Sequence, residues 1–141
     1  MKQELVSDWM TRDVITIAPE TSLKEAHDIM NKKSIRRLPV VTHGKVVGIV
    51  TLGDIRGAEP SKASSLSVWE MNDLLAKLQV SKIMTHNPAT IPQTVSIGDA
   101  AKVMLEKKFS SLPVVDEAEH LVGIITESDI FRLVVNEWHK D

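Results

Sequence analysis

The chain has 141 residues, a formal net charge of −2 and no cysteine. With 43% hydrophobic and 26% charged residues, it has the composition of an ordinary globular protein of about one domain. The absence of cysteine excludes disulfides, zinc–thiolate sites and thiol catalysis, and the interspersed charges give no electrostatic footprint for nucleic acid or a membrane surface. The amino-terminal residues lack the apolar core of a signal peptide, so we expect a cytoplasmic protein.

The most informative feature of the sequence is an internal repeat. Residues 80–130 repeat residues 6–55 at an offset of 74, which becomes 75 after one inserted residue. Both copies open with Met-Thr, at Met10 and Met84, and both close on a Gly-Ile-(Val/Ile)-Thr-x-x-Asp signature. A unit of about 50 residues has only a marginal core of its own. The repeat therefore predicts two copies of one structural unit that pack together.

The first half of each copy is predicted to be a short strand followed by a helix. The β-prone runs are residues 14–17 and 89–91. The helix begins after Ser22 in the first copy and after Ser96 in the second, because a serine followed three residues later by an acid is typical of a capping box. Apolar residues then recur at helical spacing. They are Leu23, Ala26 and Met30, matched by Ile97, Ala100 and Met104.

The second half of each copy is predicted to be two strands and a helix. Leu-Pro-Val-Val segments at residues 38–41 and 112–115 each begin a strand, and a tight turn follows. The next strands, 46–50 and 121–125, are continuous apolar runs, as is typical of strands covered on both faces. A helix then begins near each signature Thr. The fold class is therefore α/β, with strand, helix, strand, strand and helix in each of two repeats.

The segment between the copies is predicted to be structured. Helix-breaking residues from Gly57 to Ser61 end the first copy, and Ser67 with Glu70 forms a further capping box. The apolar residues of this connecting helix are Trp69, Leu74, Leu75 and Leu78. We divide the chain into a first repeat at residues 6–60, a helical connector at 61–79 and a second repeat at 80–139.

The last helix is more apolar than one buried face requires. Two explanations stay open: the surplus packs within the chain, or it forms the interface of a homodimer, which is the common way to cover such a surface. We favour the homodimer. The three tryptophans are expected to pack against apolar neighbours. The apolar residues of this helix are Ile130, Phe131, Leu133, Val134, Val135 and Trp138.

The Thr-x-x-Asp that ends each copy is the best candidate for chemistry. Thr51 with Asp54, and Thr126 with Asp129, fit a capping box, so a structural role alone explains either pair. Each pair, however, directly follows a buried strand, where α/β folds open a crevice and where backbone N–H groups attract phosphate. A carboxylate there can bind a ribose diol while the threonine hydroxyl bonds phosphate. The two roles are compatible.

Taken together, these motifs resemble a tandem pair of CBS (cystathionine β-synthase) domains, also called a Bateman module. The resemblance covers nearly the whole chain, because Met-Thr, Leu-Pro-Val-Val and Gly-Ile-(Val/Ile)-Thr-x-x-Asp-Ile recur in order in both copies. The connector from Leu66 to Leu78 is similar to that of acetoin-utilisation-type bacterial CBS proteins. The resemblance implies two repeats packed sheet against sheet as one pseudo-twofold module. It also implies two clefts that commonly bind AMP, ADP or ATP, and sometimes NAD or S-adenosylmethionine.

The resemblance further implies roles for particular residues. Asp54 and Asp129 would hold ribose hydroxyls, and Thr51 and Thr126 would contact phosphate or ribose, with Ser128 inside the second motif. Backbone groups of the first-strand segments would recognise the base: Ile15, Thr16 and Ile17 in the first copy, and Pro88, Ala89, Thr90 and Ile91 in the second. Apolar walls would come from the Leu-Pro-Val-Val strands, through Pro39, Val40, Pro113 and Val114.

The two copies differ just before Leu-Pro, where the first has Arg36-Arg37 and the second has Ser110-Ser111. Basic residues at this position contact phosphates in nucleotide-binding relatives, so the resemblance implies that Arg37 is a phosphate clamp. A solvated surface arginine is the alternative. The serine pair, with Ser111 as the candidate contact, would suit a neutral adenosine portion or leave its cleft empty. His86 and the equivalent Arg12 are weaker candidates for a phosphate contact.

We therefore predict a regulatory sensor of AMP, ADP or ATP that has no catalytic activity and no catalytic cofactor. It would act through a homodimer on an unknown effector protein, and it would bind neither nucleic acid nor membrane. One alternative is a dimerisation or protein-interaction module with vestigial clefts, and another is a module for NAD or S-adenosylmethionine. Slow nucleotide hydrolysis is a third, but no general base is visible. The five histidines lack metal-ligand spacing, so no metal site is predicted.

Overall fold

The computed structural model describes residues 4–59 and 65–139, which form two compact α/β units. The first-repeat unit spans residues 15–88, and the second-repeat unit joins residues 4–14 to residues 89–139. Each contains one three-stranded sheet. The first-repeat unit contains α2 (Leu23–Lys33), β1 (Arg37–Thr42), β2 (Lys45–Thr51), α3 (Leu52–Ala58), α4 (Val68–Lys77) and β3 (Thr85–His86). The second-repeat unit contains α1 (Val6–Trp9), β4 (Ile91–Pro92), α5 (Ile97–Lys107), β5 (Ser111–Val115), β6 (Leu121–Thr126) and α6 (Glu127–Trp138).

The main helices begin where the sequence predicts. The Ser22 hydroxyl accepts a hydrogen bond from the Glu25 N–H at 3.1 Å, and the Ser96 hydroxyl accepts one from the Asp99 N–H at 3.0 Å. These bonds satisfy donors that a helix start leaves unpaired. The predicted apolar positions of α2 and α5 are all buried. The α/β prediction is confirmed, and the second repeat has the predicted order of strand, helix, strand, strand and helix, whereas residues 14–17 of the first repeat form no strand.

The connector is helical, as predicted, from Val68 to Lys77. Ser67 caps this helix, α4, and the box with Glu70 is complete. The helix packs against α2 and buries Leu75. Trp69 is 86% exposed, so the expectation that it packs against apolar neighbours is wrong. The helix break predicted at residues 57–61 falls partly outside the described residues, because these stop at residue 59 and resume at residue 65.

The opening segment of each repeat packs with the other repeat. In the first-repeat unit, β3 pairs with β2, placing Thr85 opposite Ile49. In the second-repeat unit, Thr11 and Ile124 exchange two backbone hydrogen bonds of 2.9 Å, and α1 buries Val6 completely. The compact units therefore differ from the sequence repeats, since residues 4–14 belong with the second repeat. The division at 6–60, 61–79 and 80–139 stays a prediction about the duplicated sequence.

The glycine of each signature makes room for the methionine of an exchanged segment. A Cβ added at Gly123 would lie 2.5 Å from Met10 Sδ and 2.9 Å from the backbone oxygen of Thr11. Gly48 faces Met84 in the same way. Both methionines are 8% exposed. The recurrence of Gly and Met-Thr in both copies thus has a packing reason, because any larger residue than glycine would overlap the buried methionine.

The predicted first strands are shorter than the sequence suggests. In residues 14–17, only Ile17 forms a bridge, parallel to Val40, whereas the second copy forms β4 at Ile91–Pro92, parallel to β5. The other strands form the antiparallel hairpins β1–β2 and β5–β6, each with a register shift after its Pro-Val step. These two hairpins are the frames that position the candidate site residues.

Candidate functional site

Each hairpin places its signature threonine directly across from the residue that precedes Leu-Pro. Arg37 is the partner of Thr51 in the β1–β2 register, and Ser111 is the partner of Thr126 in the β5–β6 register. The first pairing is extended by a hydrogen bond of 2.8 Å from the Leu52 N–H to the carbonyl of residue 36. The hairpin register thus brings these two motifs together in both units. In the first-repeat unit, Arg36 and Arg37 therefore lie next to the start of the Thr51-x-x-Asp54 motif.

The Thr51–Asp54 pair forms a complete capping box at the start of α3. The Thr51 N–H donates to Asp54 Oδ2 at 2.9 Å, and the Asp54 N–H donates to Thr51 Oγ1 at 3.0 Å. Asp54 is half-buried. Within the described part of the chain, neither Asp54 Oδ1 nor the Thr51 hydroxyl proton has a hydrogen-bond partner. The motif thus caps a helix and keeps one acceptor and one donor for a ligand.

The Thr126–Asp129 pair has the same box but uses its remaining groups internally. The Thr126 N–H and hydroxyl both donate to Asp129 Oδ2, at 2.9 and 3.1 Å. The other carboxylate oxygen, Oδ1, accepts a hydrogen bond of 2.7 Å from Arg132 Nη1. Asp129 is 2% exposed. The two motifs are alike in sequence, but in the described part of the chain only the first leaves a carboxylate oxygen of its aspartate without a hydrogen bond. Arg132 is a contributor that the sequence prediction missed.

A cationic cavity of about 290 Å³ lies beside the first motif. Its lining includes three guanidinium-bearing side chains, and one of them, Arg56 on α3, was not predicted from the sequence. The volume is at the lower end of the range for small-molecule pockets, about 300–1,000 Å³. It suits the phosphate and ribose part of a nucleotide. The lining residues are Arg36, Arg37, Thr51, Leu52, Gly53 and Arg56.

The segments predicted to recognise a base are partly used by the fold. The Ile17 N–H donates to the carbonyl of Pro39 at 3.1 Å, and its own carbonyl accepts from the Val41 N–H at 2.8 Å. Since both backbone groups of Ile17 are engaged, a recognition role in this segment falls to the half-buried Ile15 and the exposed Thr16. In the second segment Pro88 is half-buried, Ala89 and Thr90 are exposed and Ile91 is buried. The boundaries between the units fall just before Ile15 and between Pro88 and Ala89.

The predicted apolar walls lie in the hydrophobic interior. Val40 and Val114 are both 0% exposed and belong to the core clusters of their units. Pro39 and Pro113 are buried as well. In this structure these side chains pack the core, and their contact with a ligand stays a prediction. Ser111 is half-buried and Ser128 is exposed, so both remain accessible.

Each opening segment packs with the other repeat, so the weaker phosphate candidates, His86 and Arg12, each lie in the unit of the other copy. His86 lies on β3 opposite Gly48, in the same unit as the arginine cavity. Arg12 lies in the other unit, where its Nη2 donates to the carbonyl of Ser7 at 2.8 Å. The first-repeat unit therefore gains the second copy's histidine, a placement that the linear repeat does not reveal.

A further cavity lies away from the signature motif. It has a volume of about 630 Å³ and lies in the second-repeat unit, at the end of the β5–β6 hairpin opposite to Ser111 and Thr126. Its rim carries three carboxylates, which disfavour a phosphate there. They belong to Asp116, Glu117 and Glu119.

A third cavity, of about 430 Å³, lies between α2 and α4 and includes Trp69 and Asp73 in its lining. The Asp73 carboxylate hydrogen-bonds Lys77 Nζ at 2.8 Å and raises the pKa of that exposed amine. Over residues 4–59 and 65–139, no group of three or more His, Asp or Glu side chains is placed to hold a metal ion. None of the helices in these ranges is long and apolar enough to cross a membrane.

The comparison with known families decides the relationship. The model of the CBS domain matches twice, at residues 6–61 and 80–136. The chain belongs to the CBS domain family. The resemblance read from its motifs is confirmed, and the two matches correspond to the two sequence repeats.

This CBS pair is similar to curated proteins of different size. It is 36% identical over 132 residues to a CBS domain-containing protein of Dictyostelium discoideum, covering 93% of this chain and 91% of the relative. It is 37% identical over 123 residues to the inosine-5'-monophosphate dehydrogenase of Korarchaeum cryptofilum, covering 87% of this chain but 23% of the enzyme. The chain thus spans about a quarter of the dehydrogenase.

Solved structures share the fold over nearly the full length. The CBS domain pair of protein MJ0100, in complex with 5'-methylthioadenosine and S-adenosyl-L-methionine, is 33% identical, with a TM-score of 0.78 and coverage of 96% of this chain and 99% of that one. CBSX2 of Arabidopsis thaliana in complex with AMP is 28% identical, with a TM-score of 0.81 and the same coverage. A Vibrio cholerae protein assigned to acetoin utilization is 28% identical, with a TM-score of 0.79 and coverage of 97% and 94%.

Proposed function

We propose that this CBS pair is a non-catalytic regulatory module of the cytoplasm that binds an adenosine nucleotide, AMP, ADP or ATP. The observation that carries the proposal is the cavity in the first-repeat unit, which Arg36, Arg37 and Arg56 line together with Thr51 of the Thr-x-x-Asp motif. Guanidinium groups bind phosphate through paired, charge-assisted hydrogen bonds. The unused Oδ1 of Asp54 supplies the acceptor that a ribose hydroxyl needs. Occupancy would be transmitted to an effector protein by a change in the population of packing states.

The charge around the two motifs favours different ligand portions. Three arginines line the cavity beside Thr51, and the one carboxylate of the motif, Asp54, follows three residues after Thr51 on α3. Beside Thr126, the neighbouring charges are Glu127, Asp129 and Arg132, and the residues before Leu-Pro are serines. A phosphate is therefore favoured at the first motif and disfavoured at the second. AMP bound by CBSX2, and the two adenosine compounds bound by MJ0100, support an adenosine ligand for this relative.

Binding is tested first by thermal unfolding with AMP, ADP, ATP, NAD and S-adenosylmethionine, each at millimolar concentration. We expect AMP, ADP and ATP to raise the melting temperature most, because their phosphates can bind the arginines of the cavity. A ligand at 100 times its Kd stabilises the folded state by about 2.7 kcal/mol. Guanosine and uridine monophosphates are the matched ligand controls. The alternative, an interaction module with vestigial clefts, predicts no shift with any adenosine compound, and that result would reject the proposal.

Replacing Arg37 by alanine tests the phosphate clamp. We expect AMP and ATP to bind at least tenfold more weakly, because a hydrogen bond to a charged group is worth about 1.5–3 kcal/mol. Adenosine, which has no phosphate, is expected to bind as before. The measurement is isothermal titration calorimetry of both ligands. Lys45→Ala removes an exposed cation from the same unit and is the matched control. Unchanged AMP affinity in Arg37→Ala would contradict the clamp.

We also propose that the module acts as a homodimer through α6. Four apolar side chains of this helix are 51–83% exposed and recur at positions i, i+3, i+4 and i+7. Their exposure argues against the alternative that they pack within the chain, and it makes the expected packing of Trp138 wrong. Large exposed apolar patches mark association surfaces. The four residues are Phe131, Val134, Val135 and Trp138.

Trp138→Lys is expected to convert the dimer into a monomer, because it places a charge in the apolar interface at its most exposed side chain. The mass in solution is measured by light scattering coupled to size-exclusion chromatography. Leu105→Lys is the matched control, since Leu105 is 82% exposed but lies on α5, outside the stripe. A wild-type chain that is monomeric at micromolar concentration would refute the dimer.

A further inference from the structure

In the described part of the chain, Asp54 has no ion pair that corresponds to the one between Arg132 and Asp129. Arg132 lies three residues after Asp129 on α6, and Nη1 is 2.7 Å from Oδ1. The position three residues after Asp54 is Gly57, which carries no side chain. The threonine, the capping box and the partner strand correspond in the two motifs, whereas the residues before Leu-Pro and the hydroxyl bond of Thr126 differ. The exchange of Arg132 for Gly57 accounts for the difference at Oδ1, because the bond that Asp129 Oδ1 accepts comes from Arg132.

In the second motif, the Asp129 carboxylate is bound by other groups of the same chain. The Asp129 side chain is 3% exposed, whereas the Arg132 side chain is 63% exposed. Oδ2 is already used by the Thr126 N–H and hydroxyl, so Oδ1 is the acceptor that a ribose hydroxyl would need. The guanidinium occupies that oxygen with a charge-assisted bond, which is stronger than the bond a neutral hydroxyl makes. A ribose would have to displace the guanidinium before it could bind.

We propose that Arg132 is an internal competitor of ribose, so that Asp129 is withheld from ligands and the chain binds a single nucleoside, at Asp54. Arg132 is thus a residue that determines how many sites are open, and it acts by positioning and occupying the carboxylate. This inference rests on the proposed function, because it assumes that the signature aspartate binds ribose. It explains how a duplicated motif yields two unequal sites.

Adenosine is the probe for this proposal, because it carries the ribose diol but no phosphate and so does not report on the arginine cavity. Calorimetric titration of the full chain is expected to give one adenosine per wild-type chain. Arg132→Ala is expected to open a second site, with two adenosines per chain and at least a tenfold gain in affinity at that site. Lys102→Ala, which removes an exposed cation of α5 in the same unit, is expected to keep one site.

The reciprocal variant is Gly57→Arg, which builds the same pair beside Asp54. Space is available, because a Cβ at Gly57 meets nothing within 4 Å. We expect adenosine affinity at the first site to fall at least tenfold, whereas Gly57→Ala, which adds no guanidinium, should bind adenosine as wild type does. The two variants act in opposite directions on different motifs, so a general loss of folding cannot produce both results.

The outcomes separate this proposal from the function on which it rests. Two equal adenosine sites in the wild type, or no change in Arg132→Ala and Gly57→Arg, would overturn the competitor while nucleotide binding stands. Absence of both AMP and adenosine binding in every form would overturn the proposed function and the competitor together. Binding that appears only in Arg132→Ala would support the competitor and overturn the arginine cavity as the binding site.

Discussion

Replacing Gly123 by alanine is expected to lower the free energy of unfolding by about 1–3 kcal/mol, the usual cost of overpacking a core. The added Cβ would lie 2.5 Å from Met10 Sδ and 2.9 Å from the Thr11 carbonyl oxygen. The methionine can move, but Thr11 is held on β6 by two backbone hydrogen bonds with Ile124. Gly48→Ala is expected to cost less, because its nearest neighbours are all side-chain atoms of Met84. Guanidinium-induced unfolding measures both changes.

The same overlap predicts a specific rescue. Met10→Ala alone leaves a cavity and is expected to cost about 2–5 kcal/mol. Combined with Gly123→Ala, it removes the overlap with Met10 but not the one with the Thr11 carbonyl oxygen. The double variant should therefore recover part of the loss and be at least about 1 kcal/mol more stable than the sum of the single changes, a coupling typical of residues in contact. Gly57→Ala is the matched glycine control and should raise stability by about 0.5–1 kcal/mol, because its Cβ position on α3 is open. Strict additivity would contradict the packing.

Replacing Asp129 by alanine is expected to lower the free energy of unfolding by about 2–3 kcal/mol. The change removes the carboxylate half of the capping box and leaves the Thr126 N–H without the partner that now lies 2.9 Å away on a buried side chain, while the bond from the backbone N–H of residue 129 to Thr126 Oγ1 remains. The loss of the pair with Arg132 adds little, since that guanidinium remains in contact with water. Chemical denaturation is the measurement.

Asp54→Ala is the matched comparison and is expected to cost about 1 kcal/mol, because Asp54 is half-buried and water can replace its hydrogen bond to the Thr51 N–H. Equal losses in the two variants would contradict the burial difference. A loss of stability must also be separated from a loss of ligand binding in these variants. Alanine at either position disturbs a helix cap, so Asp54→Asn, which keeps an acceptor for Thr51, separates loss of ribose binding from loss of stability.

Much of the fold was predictable because it follows from local patterns. The capping serines Ser22, Ser67 and Ser96 predicted three helix starts, and the Leu-Pro-Val-Val and apolar runs predicted both hairpins. The meeting of Arg37 with Thr51 was implied by the family resemblance, and the hairpin register supports it. The exchange of opening segments was not predictable, since the sequence repeats the same way whichever copy its Met-Thr packs against. Arg56 and Arg132 were missed because neither belongs to a repeated motif.

The sequence by itself determined that this chain is a duplicated α/β protein of the CBS family, because the period, the glycines and the helix caps are set by neighbours close in the chain. Only the tertiary structure decided that the two signatures are unequal. Asp54 keeps an acceptor beside three arginines, whereas Asp129 is buried and bound to Arg132. The physical reason is that a free acceptor, a cavity and a competing ion pair depend on where side chains lie in space. The Thr-x-x-Asp motif is the same in both copies and does not specify that placement.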